Sequence, residues 1–345
     1  MRVMAYPAWK NRTIQPYNWL LSTALAGVGM EVEEFSPLAV VRRPPDVCHL
    51  HWPERLLNHP SLPRGVARAL GLLAVLGWAR LRGSKLVWTI HNLGAHDAFH
   101  PRLERLFWKL FVPLVHAHVS LSPAVERAAL DRFPALRRKP GAVVPLGHYR
   151  GTYPDTVSRG EARRRLGLGG TEPVLLYLGG IRPYKNVPEL VRRFHQSALR
   201  GVLLVVGTPD SDATAALVHA AAGGDPRVRL RLEFVDAAEL QLYFRAADLA
   251  VFPYREIANS SSALLALSFD CPVLVPDQGA MGDLRDGIGG EWVRTYAGPL
   301  TAGELEAAFA WASGAREGRA PLDDFAWETL AARTVRLYAH VAGLA

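Results

Sequence analysis

Cysteine is nearly missing from this sequence. The two present, Cys48 and Cys271, stand far apart, with no Cys-x-x-Cys or Cys/His spacing around either. That excludes a disulfide scaffold and a zinc module and fits a reducing cytosol. Long apolar runs are missing too. The longest, Gly71–Ala79, is less than half of the roughly 20 residues a membrane-crossing helix needs, so no transmembrane anchor is expected. Residues 1–11 read as a short strand and a polar loop, without the apolar core of a signal peptide. The expected location is cytoplasmic, with room for a peripheral hold on the inner membrane face.

Acidic charge is scarce in one half. None occurs between Glu54 and Asp97, and residues 1–150 carry 20 Lys and Arg against 9 Asp and Glu. Residues 151–345 carry 20 against 23. A basic half joined to a mildly acidic one directs one domain toward an anionic acceptor or an anionic membrane surface. The net charge of +8 invites a nucleic-acid reading. The chain lacks a zinc finger, an RNP motif and basic-aromatic alternation, and nearly all its cations are arginine, so nucleic acid is not an expected partner.

What is present is an alternation of short apolar runs with longer helical patterns, the mark of βαβ units and parallel sheets. A chain of 345 residues exceeds one ordinary core, and 49% hydrophobic with 21% charged residues is globular. The first half reads as strands near Arg2–Ala5, Val32–Phe35, Val47–Leu50, Leu86–Ile90, Ala117–Leu121 and Ala142–Leu146. The second half begins its strands at Val174–Leu178 and Val202–Val206. Residues 148–171, rich in Arg, Gly, Thr and Pro, carry no strand pattern and mark the boundary. The expected fold is α/β: two Rossmann-like, doubly wound domains over residues 1–150 and 151–322, then a closing helix in 323–345. In such sheets ligands bind beyond the carboxyl ends of the strands, so functional residues belong just after them.

The strongest motif spans residues 174–190. A buried strand runs into Gly179-Gly180, where backbone can approach a ligand, and Arg182 and Lys185 precede a helix opening near Asn186. Two cations beside a helix N-terminus suit a diphosphate. An ordinary βα turn with solvated cations is the plainer alternative. The second motif follows Phe252. A loop containing Glu256 leads to a helix capped by Asn259 or Ser260, with Ser261 in its first turn, and these groups suit the same anion from the other side.

The first motif resembles the donor-phosphate motif of GT-B glycosyltransferases, particularly the family-4-like group of bacterial enzymes. The resemblance implies that Arg182 and Lys185 grip the pyrophosphate of a nucleotide-sugar co-substrate, without a bound metal or other cofactor. It also implies a donor domain at 151–322, an acceptor domain at 1–150, and a final helix crossing back to the first domain. One departure stands out. The pair of glutamates usual in that family falls here on Ile257 and Leu265, and Glu256 lies one place from the first.

Three stretches follow first-domain strands: Pro7–Pro16 with Arg12, then His51-Trp52-Pro53-Glu54, then His91-Asn92 through Asp97. By the same resemblance His91 contacts the transferred sugar. His51, Trp52, Arg12 and Asn92 are candidates on the acceptor side. The stereochemical expectation leans to retention, with the leaving phosphate taking the proton. The alternative is an inverting enzyme with Glu54 or Asp97 as base. A non-catalytic nucleotide- or glycan-binding module, or a nucleotide-sugar epimerase, also fits the motifs. The acceptor class stays open between a glycan, a glycolipid and a small molecule. Asp210-Ser211-Asp212 has the letters of a metal-binding Asp-x-Asp but sits where it caps a helix. Residues 62–82, apolar with Arg64, Arg68, Arg80 and Arg82, read equally as a sheet-covering helix and as a membrane-surface helix.

Overall fold

The computed structural model describes residues 1–10, 12–13, 16–94 and 99–344. The chain forms two compact units, Met1–Gly147 with Asp323–Ala345, and His148–Leu322.

The first unit begins β1 (Arg2–Tyr6), α1 (Tyr17–Gly27), β2 (Glu31–Glu34), α2 (Pro37–Arg42), β3 (Val47–Leu50), α3 (Pro53–Leu57) and α4 (Leu62–Leu81). It continues β4 (Lys85–Ile90), α5 (Pro101–Leu114), β5 (Ala117–Ser120), α6 (Pro123–Arg132) and β6 (Gly141–Val143). The second unit runs α7 (Arg159–Arg165), β7 (Val174–Leu178), α8 (Val187–Gln196), β8 (Val202–Val206), α9 (Asp212–Ala222), β9 (Val228–Arg231) and α10 (Leu240–Ala246). Then come β10 (Leu249–Val251), α11 (Ser261–Ser268), β11 (Val273–Pro276), α12 (Met281–Ile288), β12 (Val293–Tyr296) and α13 (Ala302–Ala312). The last helix, α14 (Trp327–Ala342), belongs to the first unit.

Each unit holds one parallel six-stranded sheet, ordered β2-β1-β3-β4-β5-β6 and β12-β11-β10-β7-β8-β9. The inner strands are buried on both faces, which is why β7 reads Val-Leu-Leu-Tyr-Leu without alternation. Strand order reverses between β1 and β3 in one unit and between β7 and β10 in the other. A crevice opens at such a reversal, so the loops after β7 and β10 are the ones that topology assigns to a ligand. The first unit's core is aromatic, with Trp88 of β4 against Trp108 and Phe111 of α5.

Several elements differ from the sequence reading. Short helices α2, α3, α7 and α12 were not expected; five to eight residues show too little periodicity to announce themselves. The stretch taken as an irregular linker contains α7. Its Arg163 is buried, held by Asp248 (3.0 Å) and by the carbonyls of Gly170 and Glu172 (2.8 and 3.0 Å). The closing helix begins later than residue 323, and neither Asp323 nor Asp324 caps it. They form a 3-10 turn, Ala326 is the N-cap without a side-chain bond, and Asp324 accepts from Arg333 at 3.1 Å. Ser211 does cap α9, accepting from Thr214 N. The apolar run around Gly71–Ala79 is part of a single 20-residue helix, α4, long and apolar enough by composition to cross a membrane. Here it is the crossover between β3 and β4, with Ala69, Leu72, Leu76 and Ala79 buried.

Candidate active site

In the second unit two loops meet at the topological reversal. After β7 the chain stays paired with β8: Gly179 N donates to Val206 O (3.0 Å) and Ile181 N to Thr208 O (2.8 Å). Gly207 lies so close that a Cβ there would sit 2.0 Å from Gly179 O, so both strand ends need glycine. At Gly179, φ is +149°, and a Cβ would lie 3.0 Å from Ser262 Oγ and 3.7 Å from Lys185 Nζ. Glycine, lysine and serine from separate motifs therefore converge on one point. Gly180 is less constrained; its exposed backbone offers a carbonyl to the buried Tyr177 hydroxyl at 2.8 Å.

The loop after β10 is tied to the loop after β7. Arg255 N donates to Tyr184 O (2.8 Å), and Arg255 Nε to Asn186 Oδ1 (3.0 Å), where Asn186 takes a left-handed φ of 57° at the start of α8. Lys185 Nζ lies 5.3 Å from the Tyr254 ring centroid. Burial pulls the Lys185 ammonium down and the Arg182 charge adds to that, with Tyr184 opposing. No carboxylate influences it among the described residues. Burial pushes the Tyr254 phenol up to about 12, with the Ser260 and Ser262 hydroxyls opposing. Ser260 caps α11 by accepting from Ala263 N at 3.1 Å, and Ser261 opens its first turn. Asn259 Nδ2 is buried without an acceptor among the described residues. A half-buried cation, an exposed Arg182, an unanswered amide donor and the starts of α8 and α11 make a surface of donors around Gly179. Such a surface fits a diphosphate. Glu256 is exposed and unpaired among the described residues, and Ile257 O is the atom that a Cβ at Gly279 would strike, at 2.1 Å.

In the first unit β3 and β4 deliver a row of imidazoles. His51 Nδ1 and His91 Nε2 are 3.1 Å apart, Trp52 stacks on His91 with centroids 4.0 Å apart, and Tyr17 meets both imidazoles edge-on. His49, which sequence reasoning passed over, bonds Thr89 Oγ1 (2.6 Å) and the Tyr338 hydroxyl of α14 (2.5 Å). Burial holds His49 at about 3 and His51 and His91 well below the ordinary imidazole value. All three are therefore neutral near pH 7. His51 and Trp52, expected on the acceptor side, are 2% and 5% exposed and serve as walls for His91, itself 8% exposed. Asn92 is half-buried, and Arg12 is exposed over the Trp19 ring at 4.3 Å. Asp97 lies outside the described residues.

Glu54 opens α3 directly after this cluster. Burial pushes its carboxyl up to about 7, with Glu104 adding and Arg55 opposing. The buried Glu104 accepts from Trp108 Nε1 at 3.0 Å and lies under the 91–94 loop, 3.3 Å from where a Gly94 Cβ would be. Among the described residues no group of three or more His, Cys, Asp or Glu is arranged to hold a metal ion.

Residues 172–312 match the family described as Glycosyl transferases group 1. A GDP-mannose:glycolipid 4-beta-D-mannosyltransferase of Xanthomonas campestris pv. campestris is 32% identical over 305 residues, spanning 86% of this chain and 80% of that protein. The chain is a group 1 glycosyltransferase. A D-inositol 3-phosphate glycosyltransferase of Nocardia farcinica is 32% identical over 235 residues, 61% of this glycosyltransferase and 50% of its relative. Among solved structures, sucrose-phosphate synthase from Thermosynechococcus elongatus matches with a TM-score of 0.69 at 18% identity, covering 100% of this chain and 99% of that one. An Anabaena protein, HepE, in complex with UDP-glucose matches at 0.60 and 17% identity, covering 93% and 85%. The fold of the glycosyltransferase is GT-B, with two Rossmann-like units. The candidate residues that the structure brings together were legible where one motif orders them, as with Gly179 and Lys185. Ser262, Tyr254 and Gly207 were missed, since only the folded loops bring them to Gly179. Ser262 had a signal, as the third member of the serine run already singled out.

Proposed function

We propose that this glycosyltransferase moves a mannosyl group from GDP-mannose to a hydroxyl of a glycolipid, without a metal and with inversion at the anomeric carbon. The observation that carries the donor half is the convergence of Lys185 Nζ and Ser262 Oγ on the backbone of Gly179. Arg182 and the unanswered Asn259 amide stand beside them in the same two loops. In this reading Lys185, Arg182 and the α11 start take the charge that develops on the departing diphosphate, the work a metal does elsewhere. Donor and acceptor identities follow the mannosyltransferase relative. That relative makes a β-mannoside, and an α-linked nucleotide sugar gives a β product only by attack from the opposite face. Such attack needs a base for the acceptor proton. A buried carboxyl brought to about 7, as at Glu54, suits that task better than imidazoles held neutral far below it. We take inversion over retention on this ground, and read His91 as a neutral hydrogen-bonding partner of the sugar.

The test is a transfer assay with GDP-mannose, UDP-glucose and UDP-galactose on a lipid-linked saccharide, followed by digestion of the product with α- and β-mannosidases. Transfer from GDP-mannose giving a β-mannosidase-sensitive product is expected, and it survives excess EDTA. Preference for a UDP-sugar would overturn the donor assignment, and an α product would restore retention.

A further inference from the structure

Helix α4 is packed on one face only. Ala69, Leu72, Leu76 and Ala79 recur at helical spacing and enter the core. The opposite face of an ordinary surface helix carries charge. Here it carries Pro63, Ala67, Leu70, Ala74, Trp78 and Leu81, spaced three or four apart and all exposed. Leu70, Trp78 and Leu81 are 59%, 41% and 84% exposed. Arginines 64, 68, 80 and 82 border this stripe, and the helix contains no acidic residue. The helices on either side continue the pattern. Leu38 and Val41 of α2 and Leu106 and Leu110 of α5 are exposed, as are Arg102, Arg105 and Lys109. The one acid of α5, Glu104, is buried.

We propose that this face of α4, with the adjoining edges of α2 and α5, lies in the interface of a bilayer rich in anionic lipid. An apolar stripe bordered by arginines matches both layers of that interface: acyl chains for the leucines and Trp78, head-group phosphates for the guanidinium groups. A second copy of the chain fits worse. Two-fold pairing through α4 sets a border of arginines against its own image, with no acid on the helix to answer it. Crossing the bilayer fits worse still, because the buried face would have to leave the β3–β4 crossover. The purpose of the surface rests on the glycolipid reading, since it holds the enzyme where such an acceptor lies; its geometry does not.

The full chain is floated with vesicles of phosphatidylcholine alone and of phosphatidylcholine with phosphatidylglycerol, alongside the double variant Leu70→Ser/Leu81→Ser. Both leucines are exposed, so the variant keeps its melting temperature. The native chain is expected to partition about tenfold more onto anionic vesicles, less as salt rises, and the variant to lose about tenfold of that binding. Equal partition onto both vesicles, or binding untouched in the variant, overturns the proposal. So does a native dimer in sedimentation velocity that the variant dissolves, which would give the face to a second copy. Transfer to a short-chain, water-soluble acceptor is read in parallel. Vesicle binding without transfer from GDP-mannose defeats the functional reading and leaves the surface; transfer without vesicle binding does the reverse.

Discussion

Lys185 sits with its charge half-buried and, among the described residues, no carboxylate beside it, a costly arrangement that an incoming diphosphate would relieve. Replacing Lys185 or Arg182 with Ala should lower kcat about 10²-fold, comparable to the loss of one preorganised donor, and leave the melting temperature nearly unchanged. Near-normal turnover in both variants would remove the phosphate role. Glu54 makes a prediction with a sign. Its folded value of about 7 stands above the ordinary 4.5, so the folded state holds a proton that the unfolded chain has lost between those values. Stability therefore falls as pH rises through that window, by about 3 kcal/mol in all, and Glu54→Gln should remove the penalty. The variant should melt higher than the native enzyme at pH 8 and similarly at pH 4.5. Its kcat/KM should fall about 10²-fold or more, and the native activity should rise with pH through about 7 and level off. A native profile flat from pH 6 to 8 would take the base role from Glu54. Residues such as Arg182 and Lys185 were legible because a motif orders them along one loop. Tyr254 was not, because its place beside Lys185 comes from the folding of two loops some seventy residues apart.

At the scale of elements, α14 is the piece whose sequence says least about its work. Its apolar spacing shows a helix with one buried face, but not that Tyr338 bonds His49 or that Trp327 meets Tyr17 at 5.5 Å between centroids. The helix covers His49 through Tyr338 and packs on Tyr17, which meets the other two of three imidazoles that burial keeps neutral. Their folded values lie below the unfolded one, so stability present above pH 6.5 is lost as pH falls, by about 2 kcal/mol at pH 5 for His49, with His51 and His91 acting in the same direction. Glu54 works in the opposite direction over this range, but three groups outweigh one. Calorimetry should show the first unit melting well below its pH 7 value at pH 5, with the second unit moving less. Tyr338→Phe leaves His49 Nδ1 without its partner and should cost about 1–3 kcal/mol in the first unit alone. Equal acid shifts in both units would place the cause elsewhere. The strands were easy to find because continuous Val and Leu runs between glycines allow little else. The short helices and the true cap of α14 were not. They depend on tertiary partners such as the Arg163–Asp248 pair rather than on any local signal.

For the whole molecule, alternation of strands and helices identified two parallel sheets, and the rule for ligands at strand ends singles out the loops after β7 and β10 as the candidate donor loops. Which nucleotide those loops prefer was beyond the sequence, because discrimination lies in loop walls without a fixed motif. A ligand that binds only the folded state raises its melting temperature, so GDP-mannose should shift the second unit upward by several degrees at concentrations well above its Kd. UDP-sugars should do less. Uniform shifts from all nucleotides would point to recognition of the diphosphate alone.

The return of α14 to the first unit also decides the order in which the chain can be finished. Trp327 presses so closely on Gly147 that a Cβ there would lie 2.4 Å from its ring, and Tyr338 reaches back to His49 across most of the sequence. On a ribosome the second unit, complete at Leu322, has all its residues before the first has its last helix. The domain begun first is therefore completed last, and until then Tyr17 and His49 wait without their covers. A nascent chain arrested just before Asp323 should show a protease-resistant second unit beside a first unit that is still cut. The same chain released after Ala342 should resist throughout. Termination between Leu322 and Trp327 would thus damage the half of the enzyme that the ribosome made earliest.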